Sequence, residues 1–349
     1  MEEKIEKTFA TPEGCDLVVE NVRGEIIVEG WDRPETEVVA VHRKGQAEIE
    51  ITQDGRKVIA RTKHERQALA WLDWLTKGGP PIVDYTVRVP VTSNLKLNNV
   101  NGPIGASQVQ GRVKVNNVDG SASLHAISGE IKAETVNGTL KASKLDGTAK
   151  LNTVNGKMEV GGGVLTELKA DTVNGSIAVE ATLSAEGSYN FHTVNGSCHL
   201  AVPPEFRAHV SAHGVNMSVD CQVPSESVSR KFGNWEGTIG TGDGPTAEIH
   251  FDTVNGRLRI DNGVPGAEAE PFVAKVEAQE PSAPPTPSEP PEAPTESVEV
   301  KVADAPSAEE PTAAAPTEQQ PAGKSQREIL QMVEDGEISV EEAIKLLQK

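Results

Sequence analysis

Glu134 and Asp171 are the residues whose type and spacing come nearest to an acid–base pair. Each stands two residues before a valine in a recurring phrase, Glu134-Thr135-Val136 and Asp171-Thr172-Val173. If those phrases stack, the column two before each valine reads Asn98, Asn116, Glu134, Asn152, Asp171, His192 and Asp252. Glu134 and Asp171 then lie two layers apart, about 9–10 Å at the strand spacing. That is at or just beyond the carboxylate separation of inverting glycosidases. Both are expected to face solvent, where nothing raises a carboxyl pKa into a useful range, so no catalytic residue is assigned.

His199, His209, His213 and Cys221 raise metal binding. An H-x-x-x-H pair gathers on one face of a helix. Here it lies in FRAHVSAHGVNMSV, which alternates like a strand, so no metal site is assigned. There is no phosphate-binding loop, dinucleotide fingerprint or nucleophile elbow, and no cofactor is expected. Cys15, Cys198 and Cys221 are scattered and odd in number. They read as reduced, buried thiols of a cytosolic protein.

These residues sit on a repeat. Thr-Val-Asn-Gly recurs at 135–138, 153–156, 172–175, 193–196 and 253–256, with relatives at 99–102 and 117–120. Val100, Val109, Val118, Ile127, Val136, Leu145 and Val154 fall nine residues apart, each with glycine two places on. Core-type residues follow four and six places after each, as in Ile104 and Ala106. Strand side chains alternate, so valine and these residues share an interior only if the chain bends between them. Glycine at positive φ supplies that bend. Alternate units match best, giving a two-sided coil of 18 residues.

The fold class is therefore all-β: a two-sided β-solenoid over 1–263, followed by a small helical hairpin on a disordered linker. Coils stacked in register place Asn101, Asn137, Asn155, Asn174, Asn195 and Asn255 in one corner ladder. Gly102, Gly138, Gly156, Gly175, Gly196 and Gly256 lie beside it, and Thr135, Thr153, Thr172 and Thr193 form a further column. Thr253 to Ile260 is read as the last coil.

An interruption, ERQALAWLDWLTKGGPP (65–81), has a helical apolar face and carries Trp71 and Trp74 as a candidate contact loop. Residues 264–324 hold 13 of the chain's 23 prolines and 12 acids against 3 bases, the composition of a self-repelling linker. In 325–349, Ser339 and Glu342 form a capping box. Leu330, Val333, Ile344 and Leu347 give the two short helices an apolar face they cannot cover alone.

GEIIVEGWDRPETEVVA (24–40), YTVRVPVTSNLKLNNVNG (85–102) and the T-V-N-G coils resemble the bacterial "putative adhesin" β-repeat family of unknown function. The likeness covers about residues 5–260. Residues 325–349 resemble the helical hairpins called SHOCT-like. The resemblance implies a solenoid-like domain and a link, in some relatives, to cell-envelope stress responses.

A formal charge of -19 argues against nucleic acid. Residues 96–170 run the other way, with nine Lys/Arg against six acids, a candidate strip for an anionic polymer or membrane. The N-terminus reads MEEKIEKTFATPEG, without the pattern of a signal peptide, so a cytoplasmic location is expected, peripheral to the inner membrane at most. The function expected is a non-enzymatic scaffold that joins itself or a protein partner through 325–349. The alternative is a module that binds membrane, glycan or peptide through the solenoid face and the Trp loop.

Overall fold

The structure is a computed structural model that describes residues 3–44, 48–63, 81–203, 205–241 and 244–263. Trp71, Trp74, the linker, and Leu330, Val333, Ile344 and Leu347 of the hairpin lie outside the described residues.

The strands in chain order are β1 (Glu3–Ala10), β2 (Asp16–Arg23), β3 (Ile26–Trp31), β4 (Glu35–Lys44), β5 (Glu48–Asp54), β6 (Lys57–Lys63) and β7 (Ile82–Pro90). They continue as β8 (Asn94–Asn101), β9 (Ile104–Asp119), β10 (Ala122–Asn137) and the long β11 (Leu140–Val202). The last four are β12 (Ala208–Cys221), β13 (Ser225–Lys231), β14 (Asn234–Ile239) and β15 (Ala247–Asn262).

The middle is a stack of parallel coils. Ile104 pairs with Ala122 and Ala122 with Leu140, the expected step of 18 residues. Residues 16–31 already form a coil, with Leu17 beside Leu95 and Ile26 beside Ile104. The N-terminal end is closed by β6 on β2 and β7 on β3, and beyond these by antiparallel β5, β4 and β1.

Side-chain size explains why the interior fills. Down the stack one column reads Ile104, Ala122, Leu140, while its neighbour two residues on reads Ala106, Leu124, Ala142, all buried. Each layer therefore has one large and one small residue, which keeps the volume per layer nearly constant at interior packing density.

The early coils turn at two kinds of corner. One is the Asn-Gly corner. At the other, the residue before the odd-numbered aliphatic adopts a left-handed conformation: Gln108 (φ 58), Ala126 (φ 51) and Lys144 (φ 54). Glycine occupies the next step of that corner, at Gly162 (φ 62). The repeat pattern does not mark these non-glycine positions.

The last coil in sequence is not the last in the stack. Strand β15 lies between the final coil of β11 and β12, with Phe251 beside Phe191 on one side and Ala212 on the other. The reason is in the glycine column. β15 repeats the F-x-T-V-N-G pattern of residues 191–196, whereas β12 has Met217 opposite Gly256. A Cβ at Gly256 would meet the Gly196 carbonyl oxygen at 2.6 Å, so β15 continues the close glycine stacking of the coils beneath. The antiparallel β14 and β13 cover β12 instead.

Candidate functional site

The Asn-Gly corner changes character along the stack, and a groove results. In the early coils a buried asparagine precedes the valine. Asn99 Nδ2 donates to the Gly24 carbonyl at 2.8 Å and Asn117 Nδ2 to the Gly102 carbonyl at 3.0 Å. The amide spans the corner to the coil below, and Gly102 and Gly120 take φ of 132 and 138. Val100 and Val118 consequently turn inward.

Threonine replaces that asparagine later. Thr135 still reaches the Gly120 carbonyl at 3.4 Å, and Gly138 keeps φ 150. From Thr153 onward the hydroxyl has no partner, and Gly156, Gly175, Gly196 and Gly256 leave the left-handed region. The strand then runs straight through the phrase, with threonine inside and valine outside. Exposure rises from 1% at Val136 to 38% at Val173, 39% at Val194, 45% at Val254 and 65% at Val215. The expected inward valine and positive-φ glycine thus hold for the early coils and fail for the later ones. Thr135 makes the cross-coil bond only at 3.4 Å, and the hydroxyls of Thr153, Thr172, Thr193 and Thr253 do not make it at all.

The outward valines floor an open groove of about 610 Å³. The asparagine ladder follows the valine column by one residue and is not part of the groove lining. Asn155, Asn174, Asn195, Asn255 and Asn216 each donate Nδ2 to the Oδ1 of the asparagine beneath, at 2.8–3.1 Å, starting from Asn137. Asn216 was not in the expected ladder, because G-V-N-M replaces T-V-N-G there.

The wall of the groove alternates carboxylate and imidazole. His192 Nδ1 lies 2.9 Å from Asp171 Oδ1, and its Nε2 lies 3.1 Å from Asp252 Oδ2. His213 Nδ1 follows at 3.6 Å from Asp252 Oδ1. A protonated His192 ring can donate to both carboxylates; a neutral ring can serve only one. Asn152 sits between Glu134 and Asp171. In the amide orientation that suits its neighbours it donates to the Leu151 carbonyl and to Asp171 Oδ2, both at 3.1 Å.

The column expected two before each valine is therefore real, but its members are spent on one another. Glu134 also pairs with Lys132 at 2.8 Å, and Asp171 with Lys169 at 3.6 Å. The remaining metal candidates do not converge. His199 pairs with Asp261 at 2.9 Å and His209 with Glu236 at 3.3 Å, in other columns. Burial pushes the Cys198 and Cys221 thiols up, away from the thiolate form that binds metal. Among the described residues no cluster of three such ligands could hold a metal ion. The basic stretch is similarly matched by neighbours, as in Arg112–Glu130 at 2.8 Å and the Lys157–Glu159 pair.

A stack of in-register coils with hydrogen-bonded corner ladders is a parallel β-solenoid. The chain belongs to the Toastrack DUF4097 family, whose sequence model matches residues 83–260. A SHOCT-like domain matches residues 326–349. No curated protein matches the chain. Similar solved structures include a putative adhesin from Bacteroides fragilis, 9% identical, covering 74% of this chain and 97% of its own, with a TM-score of 0.36. A putative lipid binding protein from Parabacteroides distasonis is 10% identical over 74% of this chain and 97% of its own, with a TM-score of 0.38. A putative cell adhesion protein from Clostridium sporogenes is 10% identical over 74% and 99%, with a TM-score of 0.24.

Proposed function

We propose that the protein is a non-enzymatic β-repeat scaffold that joins a partner, or a second copy of itself, through its C-terminal module. The observation that carries this reading is the SHOCT-like match at 326–349 behind a stack whose ionisable side chains are spent in ladders. Leu330, Val333, Ile344 and Leu347 are the proposed contact residues. Burying one such side chain contributes roughly 1.5–3 kcal/mol, enough for micromolar association after the cost of immobilisation. The proposed compartment is the cytoplasm, with a role in the cell-envelope stress response. Three unpaired cysteines, two of them buried, fit a reducing environment. The test is sedimentation and partner capture with full-length protein. Leu330→Asp with Leu347→Asp should abolish association and leave the melting point of the β domain unchanged. Equal sedimentation and equal capture by both proteins would refute the reading.

The exposed valine column favours a second reading. A monomer has no packing reason to hold a file of valines outside, and the groove they floor supports a ligand-binding role for the solenoid face.

A further inference from the structure

Asparagine followed by glycine is a chemically fragile pair, because glycine has no side chain to shield its backbone nitrogen from the asparagine amide carbon. The chain holds seven such pairs, six at the corners and the seventh at Asn262-Gly263. The reaction between the two groups makes two demands. The glycine N–H must leave its hydrogen bond while the asparagine backbone rotates out of the extended strand. The asparagine side chain must be free to turn towards the nitrogen.

The corners of the later coils fail both demands. Asn155, Asn174, Asn195 and Asn255 each donate Nδ2 to the asparagine beneath and accept at Oδ1 from the one above, at 2.8–3.1 Å. The glycine amides are held as well. Gly102 and Gly138 donate to the carbonyls of Asp119 and Asn155 at 2.8 and 3.1 Å. Gly256 has Gly196 on one side and Met217 on the other, inside a parallel ladder where main-chain amides are paired.

The seventh pair meets both demands. Asn262 is the exposed last residue of β15, outside the asparagine ladder. Val202 flanks it on one side. On the other side the register with β12 stops at Cys221 and Ile260, so among the described residues no coil covers Asn262. The Gly263 N–H reaches the Val202 carbonyl at 3.3 Å, a long bond at a strand end, where local opening costs least.

We propose that Asn262 is a site of spontaneous modification to aspartate or isoaspartate, and that the stacked coils protect the six corner pairs from the same reaction. Hydroxide takes the Gly263 amide proton, and the nitrogen attacks Cγ of Asn262. The bond from Cγ to Nδ2 breaks, and Nδ2 takes a proton from water and leaves as ammonia. Water then opens the five-membered succinimide at either carbonyl. One direction gives aspartate and the other isoaspartate, so the net change is water consumed and ammonia released. Either product places a second carboxylate next to Asp261, where the chain leaves the stack.

The test is ageing of the full-length protein at mildly alkaline pH. Conversion is followed at each asparagine by peptide mapping with mass spectrometry and by enzymatic methylation of isoaspartate. Asn262 should convert at least about tenfold faster than any corner asparagine, because opening free energies rise from strand ends to the interior. In urea-unfolded protein the seven rates should become comparable. Asn262→Gln should remove the fast phase and leave the melting point unchanged. Asn195→Ala takes the acceptor from Asn255 and the donor from Asn174. It should speed conversion at both and leave Asn155, whose partners are intact, unchanged. Corner asparagines that convert as fast as Asn262 in the folded protein overturn the proposal. Rates at Asn255 and Asn174 that ignore Asn195→Ala overturn the share given to the side-chain ladder and assign the protection to the backbone.

Discussion

Asn255 follows Asn195 by 60 residues in the chain and lies directly above it in the stack, donating its Nδ2 to the Asn195 Oδ1 at 2.9 Å. Asn195 in turn donates to Asn174 at 3.1 Å. One side chain thus joins two coils, one of which arrives only after the β12–β14 excursion. Asn195→Ala removes both bonds. The site is exposed, so the expected loss is up to about 1 kcal/mol, measured by denaturant unfolding. An unchanged midpoint would mean that water replaces the ladder at no cost.

The glycine column separates two effects that usually travel together. Gly138 combines φ 150 with close approach; a Cβ there would meet the Gly120 carbonyl oxygen at 2.1 Å. Gly175 lies outside the left-handed region, yet its Cβ would meet the Gly156 oxygen at 1.8 Å. Both Gly138→Val and Gly175→Ala should therefore destabilise, by about 1–3 kcal/mol each. Thermal unfolding checks this. If Gly175→Ala is neutral while Gly138→Val is not, backbone conformation alone accounts for the glycines.

Thr172 is 4% exposed and its hydroxyl has no partner. Thr153, Thr193 and Thr253 share this defect. Replacing one with an isosteric apolar group removes a buried unsatisfied donor and keeps β-branching. Thr172→Val should raise stability by about 1 kcal/mol. A fall in melting temperature would show that the hydroxyl has a partner, such as a bound water.

Stability should decline at alkaline pH for an identifiable reason. Tyr189 is buried, with its single hydroxyl proton shared between the Leu165 carbonyl at 2.8 Å and the Ser184 carbonyl at 3.0 Å. Burial pushes its pKa up to about 12, and that of Tyr85 likewise to about 12. The folded state thus keeps the phenol proton longer than the unfolded chain, whose tyrosines ionise near pH 10 or so. The contribution is complete below about pH 10 and is lost as pH rises towards 12 or so. Tyr189→Phe should be less stable at neutral pH, because the hydroxyl's hydrogen bonds go, and should lose less stability between those two values. Parallel pH profiles for both proteins would contradict this assignment.

The repeat alone determined the coil. A period of nine residues with alternate units alike is enough to give parallel stacking at 18 residues, because only that register superposes glycine on glycine and asparagine on asparagine. The column containing Glu134, Asp171, His192 and Asp252 was legible for the same reason. What the phrase T-V-N-G could not reveal was which way its valine points. Val136 is buried and Val173 exposed, although both stand in identical tetrapeptides. The choice depends on whether the preceding side chain bonds the glycine carbonyl of the coil below, and that carbonyl lies 15 residues back at Thr135. The placement of β15 inside the stack was equally invisible locally. It is set by pairing across 60 residues, which lays Phe251 beside Phe191 and Gly256 beside Gly196 and leaves the other edge of β15 to Ala212 and Met217. Identical short sequences thus acquired different roles through contacts between coils, and the groove is the product of that difference.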